Sequence, residues 1–355
     1  MNKRTFIFKN RPEVISASSA VGKKEGQGPM SSWFDMISDD DTFGQKTWEK
    51  AESYMLKTTV EDAIKKAGKT KDEIDILLSG DLLNQIMSSS FMARDVQTPF
   101  IGLYGACSTM TESLMLAGVL TDGGYCDTAV SCASSHFCTA ERQFRLPLEH
   151  GHQKPPSAQS TVTGAGAMVI SGIKSNKCHN KPDAFQVKTR EGNRVVITAA
   201  TAGKVFDPGI RDSNEMGAAM APAAVDLILA HLNGRGSTFD DYDMIITGDL
   251  GFTGKAVAAD ILGQAGVTKE QIDKKFVDCG TLIYDKADGF ESGGSGCGCS
   301  ASVFSGYVYK MLQNGRLKRV LMLSTGAMLS TISPFQGETI PGIAHGVELE
   351  SEGDF

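Results

Sequence analysis

A chain that repeats itself can fold in few ways, and this one does. Shifted by 168 positions, residues 68–82 fall on 236–250 without a gap, with seven identities in fifteen positions. Gly68, Thr70, Asp72, Asp75, Gly80, Asp81 and Leu82 meet Gly236, Thr238, Asp240, Asp243, Gly248, Asp249 and Leu250. Between them Ile76-Leu77-Leu78-Ser79 faces Met244-Ile245-Ile246-Thr247, an apolar run closing on a small hydroxyl residue. A second window aligns at a shift of 192, placing Cys107-Ser108 on Cys299-Ser300 and Gly123 on Gly315. A repeat of this length means two copies of one supersecondary unit.

The unit is α/β. Val60, Ala63, Ile64 and Ala67 share one helical face, with Glu61, Lys65 and Lys66 opposite. In the other copy Val225, Ile228, Leu229 and Leu232 do the same, and Asn233-Gly234 reads as the C-cap. The runs at 76–79 and 244–247 lack polar alternation, as strands buried on both faces do. Strands alternating with helices give an α/β fold of two duplicated halves, 1–178 carrying Cys107 and 179–355. The 355 residues suit that reading at roughly 150 per domain.

Composition excludes several classes. Apolar residues make up 41% and charged residues 22%, which supports a full core. A net charge of −7 argues against general nucleic-acid binding. No apolar run reaches the roughly 18–20 residues of a membrane span, and the charged N-terminus does not read as a signal peptide. A soluble, intracellular-type chain is expected. The eight Cys form no CxxC pair, and Cys126, Cys132 and Cys138 stand six apart, which matches no common zinc spacing. Reduced thiols and no metal site are expected.

The sharpest local feature is Gly102-Leu103-Tyr104-Gly105-Ala106-Cys107-Ser108-Thr109-Met110. A strand, a small-residue turn and a Cys opening a helix describe a thiol activated by the helix dipole, or a small residue where helix and strand pack closely. A nucleophile needs a base. His150 and His152 lie in a polar, Pro-containing loop, and His231 lies in a helix at a surface or packing position. His136 follows the strand Val130-Ser131-Cys132 and its loop, where a parallel sheet lines its ligand crevice. Two phosphate-loop candidates fail. Gly248 to Ala256 has its first Gly out of register and Ala256 at the magnesium-binding hydroxyl position, and Gly164-Ala165-Gly166-Ala167 lacks the third Gly.

Gly105-Ala106-Cys107-Ser108, Gly164-Ala165-Gly166-Ala167-Met168-Val169 and the duplication together resemble the thiolase and 3-oxoacyl synthase superfamily over nearly the whole chain. Within it, Ser134 to Phe144, Gly203 to Gly209 and Ile340 to His345 resemble a sporulation family. The resemblance implies a five-layer αβαβα fold of two related halves, with an active-site Cys at a helix N-terminus. It also implies homodimers paired through the first half's sheet edge, near the strand at 126–131. Condensing enzymes of the superfamily carry a His and an Asn in the second half, and here those places hold Gly248 and Cys297. Their Gly run behind the oxyanion loop is reduced to Gly326-Ala327-Met328. Losing those donors removes several kcal/mol of transition-state stabilisation.

The sporulation resemblance implies a non-catalytic protein of the forespore or spore. It would bind dipicolinic acid for uptake beside membrane proteins of the same operon, peripheral to the spore inner membrane. The alternative is an acyl-CoA or acyl-carrier acyltransferase using Cys107. No cofactor is expected, and calcium only as part of the ligand. Cys107, His136, Thr247, Asp249 and Cys297 are expected to converge in one cavity. Arg142 and Arg145, three apart on one helix face, could supply a fork for the ligand's carboxylates, or lie solvated and paired with Glu141 and Glu149.

Overall fold

The computed structural model describes residues 4–144, 155–172 and 192–353. The boundary expected at 178/179 lies outside them, as does Arg145. Among the described residues ten strands form the main path of one twelve-stranded sheet, five from each half, and the short strands Thr5–Ile7 and Met36–Ile37 pair alongside it. The first half supplies β1 (Glu13–Val21), β2 (Ile76–Gly80), β3 (Phe100–Gly102), β4 (Thr128–Ser135) and β5 (Gly164–Ser171). The second supplies β6 (Arg194–Thr201), β7 (Met244–Thr247), β8 (Phe276–Asp278), β9 (Arg319–Ala327) and β10 (Gly342–Glu352). Their order across the sheet is β8-β7-β9-β10-β6-β1-β5-β4-β2-β3, which reads the same from both ends when the halves are exchanged. In each half the second strand runs parallel to the third and fourth, and the fifth runs antiparallel to both neighbours. β1 and β6 join the halves where Glu13 pairs with Val196.

Three apolar layers hold this together. Helix α1 (Trp48–Lys66) lays Met55, Leu56, Val60 and Ala63 on Leu77, Val130 and Ala165. On the other side α4 (Met216–Arg235) lays Ala224, Leu227 and Ile228 on Ile245, Leu321 and Leu323. Between the halves lie α2 (Thr109–Asp122), against β2, β4, β9 and β10, and α6 (Cys297–Val303), against β4 and β5. That is the expected αβαβα stack. Each fully buried Leu, Val or Met contributes about 1.5–3 kcal/mol.

The repeated residues do repeated work. Gly68 and Gly236 both sit just beyond a helix with φ of 67° and 63°, where a side chain is strained. Thr70 and Thr238 each open a capping box, closed by Glu73 and Asp241. The Asp75 carboxylate accepts from the Asp127 and Thr128 amides, and Asp243 accepts from Lys318 and Arg319 in the same way. Those bonds tie the start of the second strand to the start of the fourth in both halves.

Three expectations change. Asn233-Gly234 is not a cap: α4 runs on to Arg235, and Gly234 is small because a Cβ there would lie 2.3 Å from the Thr5 hydroxyl. The strand at 126–131 is not an edge either. β4 pairs on both sides, and the first half's edge is β3, whose Ile101 is 42% exposed. Finally, the segment 213–235 is long and apolar enough to cross a membrane, but 61% of it is buried against its own fold, as a core helix is.

Candidate functional site

The loop that carries Cys107 belongs to the first half and packs against β9 of the second. This loop is tightly built. The Leu103 amide donates to the Ser79 carbonyl at 2.9 Å, and the Gly105 amide to the Thr109 hydroxyl at 3.2 Å. Ala106 is held at φ 49°, a left-handed conformation costly for a residue with a Cβ. Gly326 of β9 backs the turn, where a Cβ would come within 2.6 Å of the Gly105 carbonyl. The result presents Cys107, 9% exposed, one residue before α2 is fully formed.

Facing it from the second half is Asp249. Its carboxylate accepts from the Thr325 hydroxyl at 2.7 Å and the Gly296 amide at 2.9 Å, and it also bonds the Cys107 thiol. Burial pushes the Asp249 carboxyl up to about 7 against those bonds. Burial, then the charges of Asp249 and Cys297, push the Cys107 thiol well above its usual range. The Cys297 thiol donates to the Ala106 carbonyl at 3.1 Å, and burial followed by Asp81 and Asp249 raises it too. A helix N-terminus lowers a thiol pKa by itself. Here dehydration, the Asp249 carboxyl and the neighbouring Cys297 outweigh it, and Cys107 stays protonated.

Of the residues expected in one cavity, Asp249 and Cys297 lie beside the Cys107 turn, but only Cys107 lines the cleft. Thr247 does not face the cleft: its hydroxyl donates to Asp278 at 2.7 Å, beneath the loop. His136 is turned away. Its Nε2 meets the Asp41 carbonyl at 2.7 Å, its Nδ1 accepts from the Cys138 amide at 3.1 Å, and burial lowers its pKa, so it is a neutral loop fastener. Arg142 pairs with Glu49 and lies over the Trp48 ring, 5.4 Å from its centroid, on the outer helix face.

No other described histidine serves as a base. His231 bonds Thr201, Tyr242 and Glu348, and His345 accepts from the Gly203 amide with its pKa pushed by burial down to about 4. Among the described residues no group of His, Cys, Asp and Glu is arranged to hold a metal.

The cleft has two chambers. The inner slot, about 50 Å³, reaches Cys107, Gly296 and Thr161. The outer vestibule, about 330 Å³, opens between Met328, Ser330, Glu338 and Pro341. Tyr104, Ala106 and Leu329 line both. Sequence reasoning missed two of the residues that shape this region. Asp278 ends β8 and accepts from the Leu250 and Gly251 amides at 2.8 and 2.9 Å, fixing the loop that presents Asp249. Its place at a strand C-terminus was the available signal. Tyr104 was inside the quoted motif, where an aromatic ring among small residues marks a wall.

Comparison with known proteins agrees with this fold. The family model described as Stage V sporulation protein AD (SpoVAD) matches residues 2–350. The curated protein "Stage V sporulation protein AD" of Bacillus subtilis (strain 168) is 45% identical over 351 residues, which is 99% of this chain and 98% of that protein. Among solved structures, 3-oxoacyl-[acyl-carrier-protein] synthase III from Aquifex aeolicus VF5 superposes with a TM-score of 0.55 at 12% identity, covering 96% of this chain and 99% of its own. Xanthomonas campestris OleA, in a structure with bound lauric acid and lauroyl-CoA, gives 0.58 at 13% identity over 97% and 100% of the two chains. At such identities the structures speak for the thiolase-like fold alone. The chain belongs to the stage V sporulation protein AD family.

Proposed function

We propose that this sporulation-family chain is a non-catalytic, thiolase-fold binding protein for dipicolinic acid. Its cleft would take the ligand as a step in uptake into the forespore, next to membrane proteins of the same operon. The observation that carries the reading is the state of Cys107. It is a protonated thiol between a buried carboxyl and a second thiol, with no described imidazole in reach. Acyl transfer needs a thiolate, a proton acceptor and donors for the oxyanion. The Gly296 amide, the nearest such donor, is already given to Asp249.

What remains is a cleft whose vestibule, at about 330 Å³, lies at the lower end of the range for small-molecule sites, roughly 300–1,000 Å³. Its lining holds one charged side chain, the acidic Glu338, and Asp249 lies deeper. A bare dianion meets repulsion from both, so the favoured ligand is the calcium chelate, whose charge is neutralised.

Calorimetric titration of the full chain with dipicolinate, with and without equimolar calcium, tests the reading. Saturable binding that tightens with calcium is expected, and absence of binding in both arms overturns it. Incubation with acyl-CoA panels tests the alternative. A stoichiometric acyl adduct on Cys107 by mass spectrometry would establish the acyltransferase instead.

A further inference from the structure

We propose that Tyr104 is the residue that selects an aromatic ligand: a planar aromatic acid stacks on its ring in the outer vestibule, and the slot leading to Cys107 stays empty of it. This rests on the binding reading above and names where and by what the ligand is held.

Size comes first. At about 50 Å³ the slot falls well below the roughly 300–1,000 Å³ of small-molecule sites. The vestibule, at about 330 Å³, has the room. Tyr104 stands where the two meet, lining both, and it is 49% exposed. Among the described residues its hydroxyl has no hydrogen-bond partner, whereas the other vestibule hydroxyls are engaged. Ser330 and Ser333 accept each other's amides, and Thr339 donates to Asp207 at 2.6 Å.

The turn that carries the ring is anchored on both sides, Leu103 on Ser79 and Gly105 on Thr109. Burial, then the charges of Cys297, Cys107 and Asp81, push the Tyr104 phenol up to about 12, so it remains a neutral donor to a carboxylate across the working pH range. Met328, Leu329 and Pro341 offer apolar contact on the remaining walls. A stacked aromatic pair gains more than its buried area alone supplies, and the hydroxyl adds a hydrogen bond to it.

The test titrates wild type, Tyr104→Phe, Tyr104→Leu and Cys107→Ser with dipicolinate plus calcium. All three changes are conservative in volume, and thermal midpoints within 2–3 °C of wild type (about 1 kcal/mol or less) check the fold. Tyr104→Leu should weaken binding about tenfold or more, Tyr104→Phe about threefold, and Cys107→Ser less than twofold. Wild-type binding with Tyr104→Leu unchanged overturns this proposal while leaving the binding function standing. A loss at Cys107→Ser as large as at Tyr104→Leu also overturns it, by placing the ligand in the slot. No binding by wild type overturns both.

Discussion

Replacing Asp249 with Asn should flatten the pH dependence of stability. In the folded chain burial raises this carboxyl from 3.8 to about 7. Between those values the folded state holds a proton that the unfolded chain has released. The contribution is therefore fully present below pH 3.8 and is lost as pH rises through about 7. At 1.36 kcal/mol per pH unit the gap amounts to about 4 kcal/mol, and relaxation with water entry brings the expected effect nearer 2. Asn keeps the shape. Its carbonyl can accept from the Gly296 amide, and its NH₂ can donate to Thr325 once that hydroxyl rotates. Other buried carboxyls work in the same direction, notably Asp278 at about 6 and Glu52 at about 8, so wild type should still lose stability from pH 5 to pH 8. The difference between the two proteins isolates Asp249. Urea denaturation at pH 5 and pH 8, with the slope against denaturant unchanged, measures it. Because only about two of the roughly three pH units between those values lie in that interval, the Asn variant should lose about 1–1.5 kcal/mol less than wild type over it. Equal losses, or a larger loss in the variant, would refute an Asp249 that is protonated at the neutral edge.

Three further outcomes are expected. Gly166→Ala puts a Cβ 1.9 Å from the Ala301 carbonyl, so α6 must move and stability should fall by about 2–3 kcal/mol in chemical denaturation; Gly263→Ala, with nothing within 4 Å, should be neutral or gain up to about 0.5 kcal/mol. Glu348→Gln leaves Arg235 and Arg319 facing a neutral partner in a buried network shared with His231, Tyr242 and Thr198, and should cost about 3–5 kcal/mol by the same assay. Iodoacetamide at pH 7.5 should modify Cys107 more slowly than a free thiol, by at least tenfold in timed mass spectrometry, because the thiolate fraction is small; modification faster than the free thiol would mean an activated nucleophile.

The fold was legible because its information is local and written twice. Helix faces of period 3.6 and two-sided apolar strands each follow from a few neighbouring residues. The caps and the Asp75/Asp243 clamps recur because both halves solve one geometric problem. Errors came where a distant chain segment decided the outcome. Gly234 resembled a helix stop, but it is small to let the strand at Thr5–Ile7 pass. The apolar run of α4 has membrane-like composition because β9, β10 and β6 bury it.

The site was legible in part, and the division has a physical cause. Cys107, Asp249 and Cys297 each follow a strand end, and strand ends of a duplicated sheet converge on the interface between halves. His136 and Thr247 also follow or close strands, yet which way a side chain turns depends on partners far away in sequence. Asp41, in a loop near the N-terminus, takes His136, and Asp278 takes Thr247. Arg142 was drawn outward by Glu49 in the same way.

Comparing the halves locates function more sharply than any motif. Residues that only build, such as Thr70 with Thr238, make the same bonds in both copies. Residues at the interface do not. Asp81 accepts the Leu83 and Ser89 amides, whereas its counterpart Asp249 accepts from Gly296 and Thr325 of its own half and faces Cys107 of the other. Cys107 reaches the cleft, whereas Cys299 is fully buried behind it. Two copies under one structural constraint should keep one set of contacts, so the positions where contacts diverge mark where the halves have been put to different use. Both of these divergences fall at the Cys107 turn and the residues of the second half packed around it.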